Sequence, residues 1–219
     1  MKIEHSNYNL IFYLWMDQFI LTKIFEYSHY RDQCNMNEVI TCFGSLFEYI
    51  YELKCDKEFT DADIIKFKNL TKLYCVFCYD MTDKSIKELK HLTILDCIGC
   101  KQITDSSISE LEKLTQLSCG NCPNITDMSI KKLKLLTALY CDGCENITDI
   151  SIKELNHLNS LYCYICENIT DKSIKKLSHL TKLSFSECPN VTDVWIKELK
   201  NLTSLDCCNC HSITNKSII

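Results

Sequence analysis

The stretch "LYCDGCENITD", residues 139–149, decides how the chain is read. Taken alone, Cys141 and Cys144 have the C-x-x-C spacing of a metal knuckle. Taken with its surroundings, the stretch is one copy of a repeat. Thr-Asp pairs begin at Thr60, Thr82, Thr104, Thr126, Thr148, Thr170 and Thr192, and Thr214-Asn215 closes the series. The step between them is 22 residues each time, and the rest of the sequence keeps pace: L-T-x-L-x-C-x-x-C-x-x-I-T-D-x-S-I-K-E-L-x-x.

Each unit carries two local signals. "TALYC", Thr137 to Cys141, alternates with the period of a half-buried strand, which places Leu139 and Cys141 inward and Ala138 and Tyr140 outward. In the following Ile147-Thr148-Asp149, a Thr or Asp side chain caps the free N–H groups of a helical turn. After the cap, Ile152, Leu155 and Leu158 fall at i, i+3 and i+6, which predicts one face of a short helix, with Lys153 and Glu154 in water. A strand and a helix within 22 residues cannot bury their own apolar side. Stacked copies can, with parallel strands on one face and helices on the other, so the expected architecture is an α/β solenoid.

The unit resembles a leucine-rich repeat, and within that family the cysteine-containing subclass, in which a strand, a Cys and "ITD" precede a helix. The resemblance covers residues 49–219. It implies a right-handed horseshoe with a parallel concave sheet and short convex helices. The units here are a few residues shorter than in the subclass, and Cys stands where the last inward Leu of the strand usually sits.

This frame gives the cysteines a place. The first column is Cys75, Cys97, Cys119, Cys141, Cys163 and Cys207, with Phe185 once and, in the degenerate first unit, Leu53. A position that accepts Cys, Phe and Leu reads as core, where a free Cys behaves as a small buried hydrophobe. The second column is Cys78, Cys100, Cys122, Cys144, Cys166, Cys188 and Cys210, beneath the turn that leaves the strand. Three other uses compete. Zinc needs four sulfurs converging on a tetrahedron, whereas stacked strands set sulfurs in rows about 4.8 Å apart. Disulfides between neighbours would suit the Cα separation but not the Cβ directions. A redox pair would occur once, before a helix, and not in seven copies. A metal- or thiol-dependent protein therefore stands as an alternative to structural cysteine, and no cofactor is expected.

The sequons at Asn124, Asn146, Asn168 and Asn190 arise from the repeated "NITD" and read as loop residues. They would matter in a secreted recognition receptor, a further alternative that would also carry disulfides. No Gly-rich phosphate loop is present, and His91, His157 and His179 fall at variable positions on the helix side, so no catalytic constellation forms and an enzyme is not expected.

The bulk numbers point the same way. A net charge of −5 argues against a general nucleic-acid binder. Leu10 to Met16 is too short to span a bilayer, and no small-residue cleavage site follows it, so no membrane segment or signal peptide is expected. Seventeen cysteines, an odd count without a secretory signal, suit reduced thiols in the cytoplasm. Ile218-Ile219 follows a helix start without a visible cap, which leaves a strand edge open to self-association.

Solenoids bind on the strand face. Its outward columns read Tyr74, Asp96, Ser118, Tyr140, Tyr162, Ser184, Asp206 and then Val76, Ile98, Gly120, Asp142, Tyr164, Ser186, Cys208. Tyrosine brings contact area and a hydroxyl at low entropic cost. The candidate partner-binding residues are therefore Tyr74, Asp96, Tyr140, Asp142, Tyr162, Tyr164 and Asp206, with Tyr140, Tyr162, Tyr164 and Asp142 the densest group. Tyrosine is also simply a good exposed strand former.

Residues 1–48 lack the repeat. Ile20, Leu21, Ile24 and Phe25 share one helical face, and Val39, Phe43, Leu46/Phe47 and Ile50 make a second stripe after an Asn35/Glu38 capping box. One reading is a helical cap over the first unit. The other starts from "FILTKIFEYS", residues 19–28, which resembles the core of an F-box although Met16-Asp17 stands in place of the usual Leu-Pro opening. That resemblance implies a substrate adaptor of a Skp1–cullin ubiquitin ligase, with Ile20, Leu21, Ile24 and Phe25 as the Skp1 contact and the solenoid as the substrate reader.

Overall fold

The computed structural model describes residues 50–55 and 57–214. Eight three-residue strands form one sheet: β1 (Glu52–Lys54), β2 (Lys72–Tyr74), β3 (Ile94–Asp96), β4 (Gln116–Ser118), β5 (Ala138–Tyr140), β6 (Ser160–Tyr162), β7 (Lys182–Ser184) and β8 (Ser204–Asp206). The sheet order is the chain order and every neighbouring pair is parallel. A single-turn helix follows each of the first six strands' turns and precedes the next strand, as at Asp149–Ile152 between β5 and β6. This is the expected leucine-rich-repeat solenoid.

The core is a set of columns. Leu73, Leu95, Leu117, Leu139, Leu161 and Leu183 pair in register and are buried on the inner side of the sheet. The isoleucines of the capped turns, from Ile86 to Ile174, and the leucines that follow them close the other side. Such burial removes about 25 cal/mol per Å² of apolar surface from water, and each column is continuous because each unit lends its neighbour the wall it lacks.

The helix is shorter than its apolar spacing predicts. It ends at Ile152; Leu155 and Leu158 lie in consecutive turns closed by Leu155 N–H to Ile152 O and Leu158 N–H to Leu155 O, both at 3.1 Å. The spacing i, i+3, i+6 suits such three-residue turns as well as a helix. A second difference concerns the first unit. Leu53 pairs with Leu73 and belongs to the leucine column, and Cys55 takes the first cysteine column, its N–H bonding Tyr74 O as Cys75 N–H bonds Asp96 O. The expectation that Leu53 replaces a cysteine is therefore corrected. The connection from Leu53 to Thr60 is two residues shorter than that from Leu73 to Thr82, which shifts the 22-residue frame upstream of Thr60.

Polar ladders stitch unit to unit. Thr148 caps its own helix through Ile150 N–H. Its own N–H and hydroxyl donate to Asp127 of the preceding unit at 2.9 and 2.6 Å. The same pair of bonds joins Thr82 to Asp61, Thr104 to Asp83, Thr126 to Asp105, Thr170 to Asp149 and Thr192 to Asp171. In the first unit Asp63 serves in this place: it accepts the Thr60 N–H and hydroxyl at 3.0 and 2.9 Å. The sequon amides form another ladder. Asn124, Asn146, Asn168 and Asn190 each donate to a carbonyl one unit earlier, at 2.8 to 3.0 Å.

The seventh unit departs from the pattern. Phe185 fills the first cysteine column and Trp195 the serine column, and the two rings meet edge to face at 5.4 Å. A 3₁₀ turn, Asp193–Glu198, replaces the α-helical one. Trp195 is fully buried, and its Nε1 has no hydrogen-bond partner among the described residues.

Candidate functional site

The inner side of the sheet is committed to the fold, and the cysteines show how. Six second-column thiols donate to the backbone carbonyl of the first-column residue one unit earlier: Cys100 to Cys75 O at 2.8 Å, Cys122 to Cys97 O and Cys144 to Cys119 O at 3.1 Å. Cys166, Cys188 and Cys210 do the same to Cys141, Cys163 and Phe185. The bond to Phe185 explains why the first column tolerates a non-cysteine: the acceptor is main chain. The hydrogen-bonded sulfur of the next unit and burial together push the first-column thiols of Cys75, Cys97, Cys119, Cys141 and Cys163 well above the ordinary thiol range. These are protonated groups packed in rows, poor nucleophiles by their protonation state. Among the described residues, no three His, Cys, Asp or Glu side chains converge as they would around a metal ion.

The outward side is where the sequence candidates lie. The register sets Ser118, Tyr140, Tyr162 and Ser184 side by side. Tyr140 and Tyr162 stack with centroids 4.5 Å apart and planes 11° from parallel. Strand spacing of about 4.8 Å makes this stack possible. Burial, then the neighbouring Tyr162, raises the Tyr140 phenol above its ordinary range, so the Tyr140 ring is a neutral hydroxyl-bearing platform at neutral pH.

Asp142 stands at the turn beside the stack, where one carboxylate oxygen accepts the Tyr164 N–H at 2.8 Å. Tyr164 itself is 40% exposed, and a hydrogen bond to Glu187 raises its phenol. Asp96 is half-buried; burial raises its carboxyl, opposed only by the Ile98 N–H. Asp206 is the reverse case: hydrogen bonding from Cys208, with help from the hydroxyls of Ser184 and Ser186, holds its carboxyl below the ordinary range. Tyr74 lies apart from the stack, at β2, with the Lys54 ammonium 5.5 Å from its ring centroid. The structure thus brings Tyr140, Asp142, Tyr162 and Tyr164 together, sets Asp96 and Asp206 two strands to either side, and leaves Tyr74 to a separate basic corner where Lys72 pairs with Glu52 at 2.9 Å. Ile20, Leu21, Ile24 and Phe25 lie outside the described residues.

Two outward residues escaped the column reading. The position after the strand turn takes a left-handed backbone in every unit from β2 onward: φ is +74° at Gly99, +58° at Asn121, +68° at Gly143 and +58° at Asn209. Phe77 (+58°) and Ile165 (+53°) adopt it too, although bulky and branched side chains are strained there. Both are exposed, 47% and 42%. Ile165 extends the tyrosine patch, and the Phe77 ring covers Gly99 so closely that a Cβ there would collide with it. The column is otherwise Gly, Asn and, at Glu187 (+58°), a charged residue, and the two large apolar side chains in it are the signal that marks them.

Among the described residues no helix is long and apolar enough to cross a membrane. No family model and no curated protein matches the sequence. Solved structures do match the fold. An internalin from Listeria monocytogenes superposes with a TM-score of 0.59 at 19% identity, over 80% of this chain and 52% of that one. A leucine-rich-repeat protein from Leptospira interrogans gives 0.59 at 21%, over 78% and 45%. The functional domain of the Listeria monocytogenes protein InlJ, which includes a cysteine ladder, gives 0.55 at 20%, over 74% and 40%. The chain spans about half the length of these structures or less. At such identities the likeness establishes the leucine-rich-repeat fold.

Proposed function

We propose that the chain is a non-catalytic protein-interaction scaffold that holds a protein partner on its strand face. The Tyr140–Tyr162 stack, continued by Tyr164 and Ile165, carries this reading. It sets partly exposed aromatic area on a rigid sheet, in the one kind of surface where tyrosines serve as anchors for a partner. The first-column thiols are held protonated, and the reading invokes no cofactor, no nucleic acid and no membrane. The odd count of seventeen cysteines supports a reducing, cytoplasmic setting for it.

Site-specific photocrosslinking tests it. A photoreactive residue at position 184, on the strand face, is expected to capture a protein partner from a eukaryotic extract, and Tyr162→Ser is expected to abolish the capture. The same group at Ile150, 58% exposed on the helix side, should capture none. Capture from position 150 alone would move the interface to the helix side and end this reading.

The segment "FILTKIFEYS" favours a narrower second reading, in which residues 1–48 bind a Skp1-like protein and the scaffold serves a cullin ubiquitin ligase as substrate adaptor. Affinity purification probed for Skp1 and cullin, with an Ile24→Asp/Phe25→Asp variant alongside, decides it: both proteins should come down with the unaltered chain and neither with the variant.

A further inference from the structure

From β3 to β8 the first outward row runs Asp96, Ser118, Tyr140, Tyr162, Ser184, Asp206, which reads the same in both directions. Because the two rings stack on each other, their free faces look outward along the row, onto Ser118 on one side and Ser184 on the other. Neither serine is large enough to cover a ring. The floors stay low in the second row as well, where Gly120 and Ser186 are buried. The strand face therefore holds two mirrored troughs. Each has a small-residue floor, a tyrosine face as one wall and an aspartate from the strand two spacings away, about 9.6 Å between backbones; in the Ser184 trough the Asp206 carboxylate leans over the floor and accepts the Ser184 and Ser186 hydroxyls, both at 3.1 Å.

The walls favour one sign of charge. Asp96, Asp142, Glu187 and Asp206 lie on this face from β3 onward, against Lys182. No cationic side chain pairs with Asp96, Asp142 or Asp206 among the described residues. An aromatic face opposite a carboxylate suits a guanidinium or ammonium group, which the ring quadrupole and the carboxylate attract together. Arginine fits better than lysine because its plane can lie flat on the ring.

We propose that the partner presents an extended segment with two cationic side chains, one seated in the Ser118 trough between Asp96 and Tyr140 and the other in the Ser184 trough between Tyr162 and Asp206. This rests on the strand-face reading above and adds the partner's chemistry to it. The troughs lie three strands apart, about 14 Å. An extended chain covers that in about four residues. The motif is two basic residues, arginine by preference, at i and i+4.

The test uses the full chain and synthetic nine-residue Gly/Ser peptides that carry two arginines four residues apart. Companion peptides carry the arginines two apart, a single arginine, or two glutamates at the same places. Binding is read by fluorescence polarisation at low and high salt. The four-apart arginine peptide should bind about tenfold or more tighter than the glutamate peptide, and severalfold tighter than the single-arginine and two-apart versions. Ser118→Tyr and Ser184→Tyr fill the troughs, and Asp96→Ser and Asp206→Ser remove their acidic walls. Each places in the row a residue the row already holds elsewhere, so the fold accommodates it. Each should weaken binding severalfold, with a smaller salt dependence for the two aspartate variants. Equal or tighter binding of the glutamate peptide, indifference to spacing or to these variants, or no binding by any peptide would overturn the proposal. Competition separates it from the broader reading: a partner crosslinked at position 184 that the arginine peptide does not displace leaves the scaffold standing and removes the cationic motif.

Discussion

The two sides of the same strands obey different rules. On the inner side, a three-residue strand such as Ala138–Tyr140 contributes one leucine, followed by a cysteine, and the neighbouring units supply the same types at the same places. On the outer side, the residue between them is Tyr, Asp or Ser in turn. The difference follows from where the constraints act. An inner side chain must match the volume left by two neighbours, and interiors close-packed to crystal density feel a single methylene. An outer one must match only what docks there. The ladders are what permit this freedom: with register fixed by Thr–Asp pairs, buried thiols and main-chain bonds, the outer columns can change without disturbing the stack.

The largest effects are expected on the inner side. Leu139→Ala removes a fully buried side chain between two identical neighbours, Leu117 and Leu161. It should cost about 2–5 kcal/mol in a urea titration. Next comes the ladder. Asp127→Ala leaves the Thr148 N–H and hydroxyl without their acceptor, a loss of about 1–3 kcal/mol, whereas Asp127→Asn keeps an acceptor oxygen and should cost less. A ladder variant as harmless as an outer-column change would break the distinction between the sides.

Much of the inner side was legible because a 22-residue frame repeats without insertion after Thr60. Where it was misread, the reasons are physical. Ile152, Leu155 and Leu158 step by three, a period that a chain of 3₁₀-type turns satisfies without any α-helical i+4 contact. Leu53 was misplaced because the first connection is two residues shorter than the others, and periodicity alone cannot say where within a unit a deletion falls. The threonine caps were visible, but their bonds to an aspartate 21 residues earlier exist only once the units stack. On the outer side, the sequence named the tyrosines and acids, and strand register turned that list into a stack flanked by two troughs. Ile165 and Phe77 were missed because they lie past the strand, where backbone handedness and not inward–outward alternation governs.

That left-handed position offers a change with the opposite sign. Ile165→Asn places in the sixth unit the residue that Asn121 supplies in the fourth, and asparagine tolerates a φ of +53° far better than a β-branched side chain. The strain released should raise stability by up to about 1 kcal/mol in the same titration, while partner capture at position 184 weakens through loss of apolar surface. A destabilised variant would show that Ile165 is held for packing and not for an interface.

Acid should weaken the Asp61–Thr82 rung of the ladder. At Asp61 burial pushes the carboxyl up, but hydrogen bonds from Ser85 and Thr82 outweigh it and hold the group below its ordinary value. A carboxyl depressed in the folded state contributes fully above its unfolded pKa of about 3.9 and loses that contribution as pH falls through the folded value. Urea midpoints should therefore decline below about pH 4, and Asp61→Asn should flatten that decline. An undiminished decline in the variant would assign acid sensitivity to other carboxyls.

The smallest stability change is the most diagnostic. Tyr162→Ser truncates one ring of the stack at a position where Ser118 and Ser184 show the row accepts serine. Only the ring–ring contact is lost to the fold, which is worth about 0.5–1.5 kcal/mol in a buried pair and less in one open to water. Stability should therefore stay within about 0.5 kcal/mol. Binding should not: the variant removes one tyrosine wall of the Ser184 trough and the ring that supports Tyr140 from behind, so peptide binding and crosslinking from position 184 should fall together. A large stability loss with binding intact would mean that the tyrosines hold the sheet together, and that the outer side follows the same rule as the inner one.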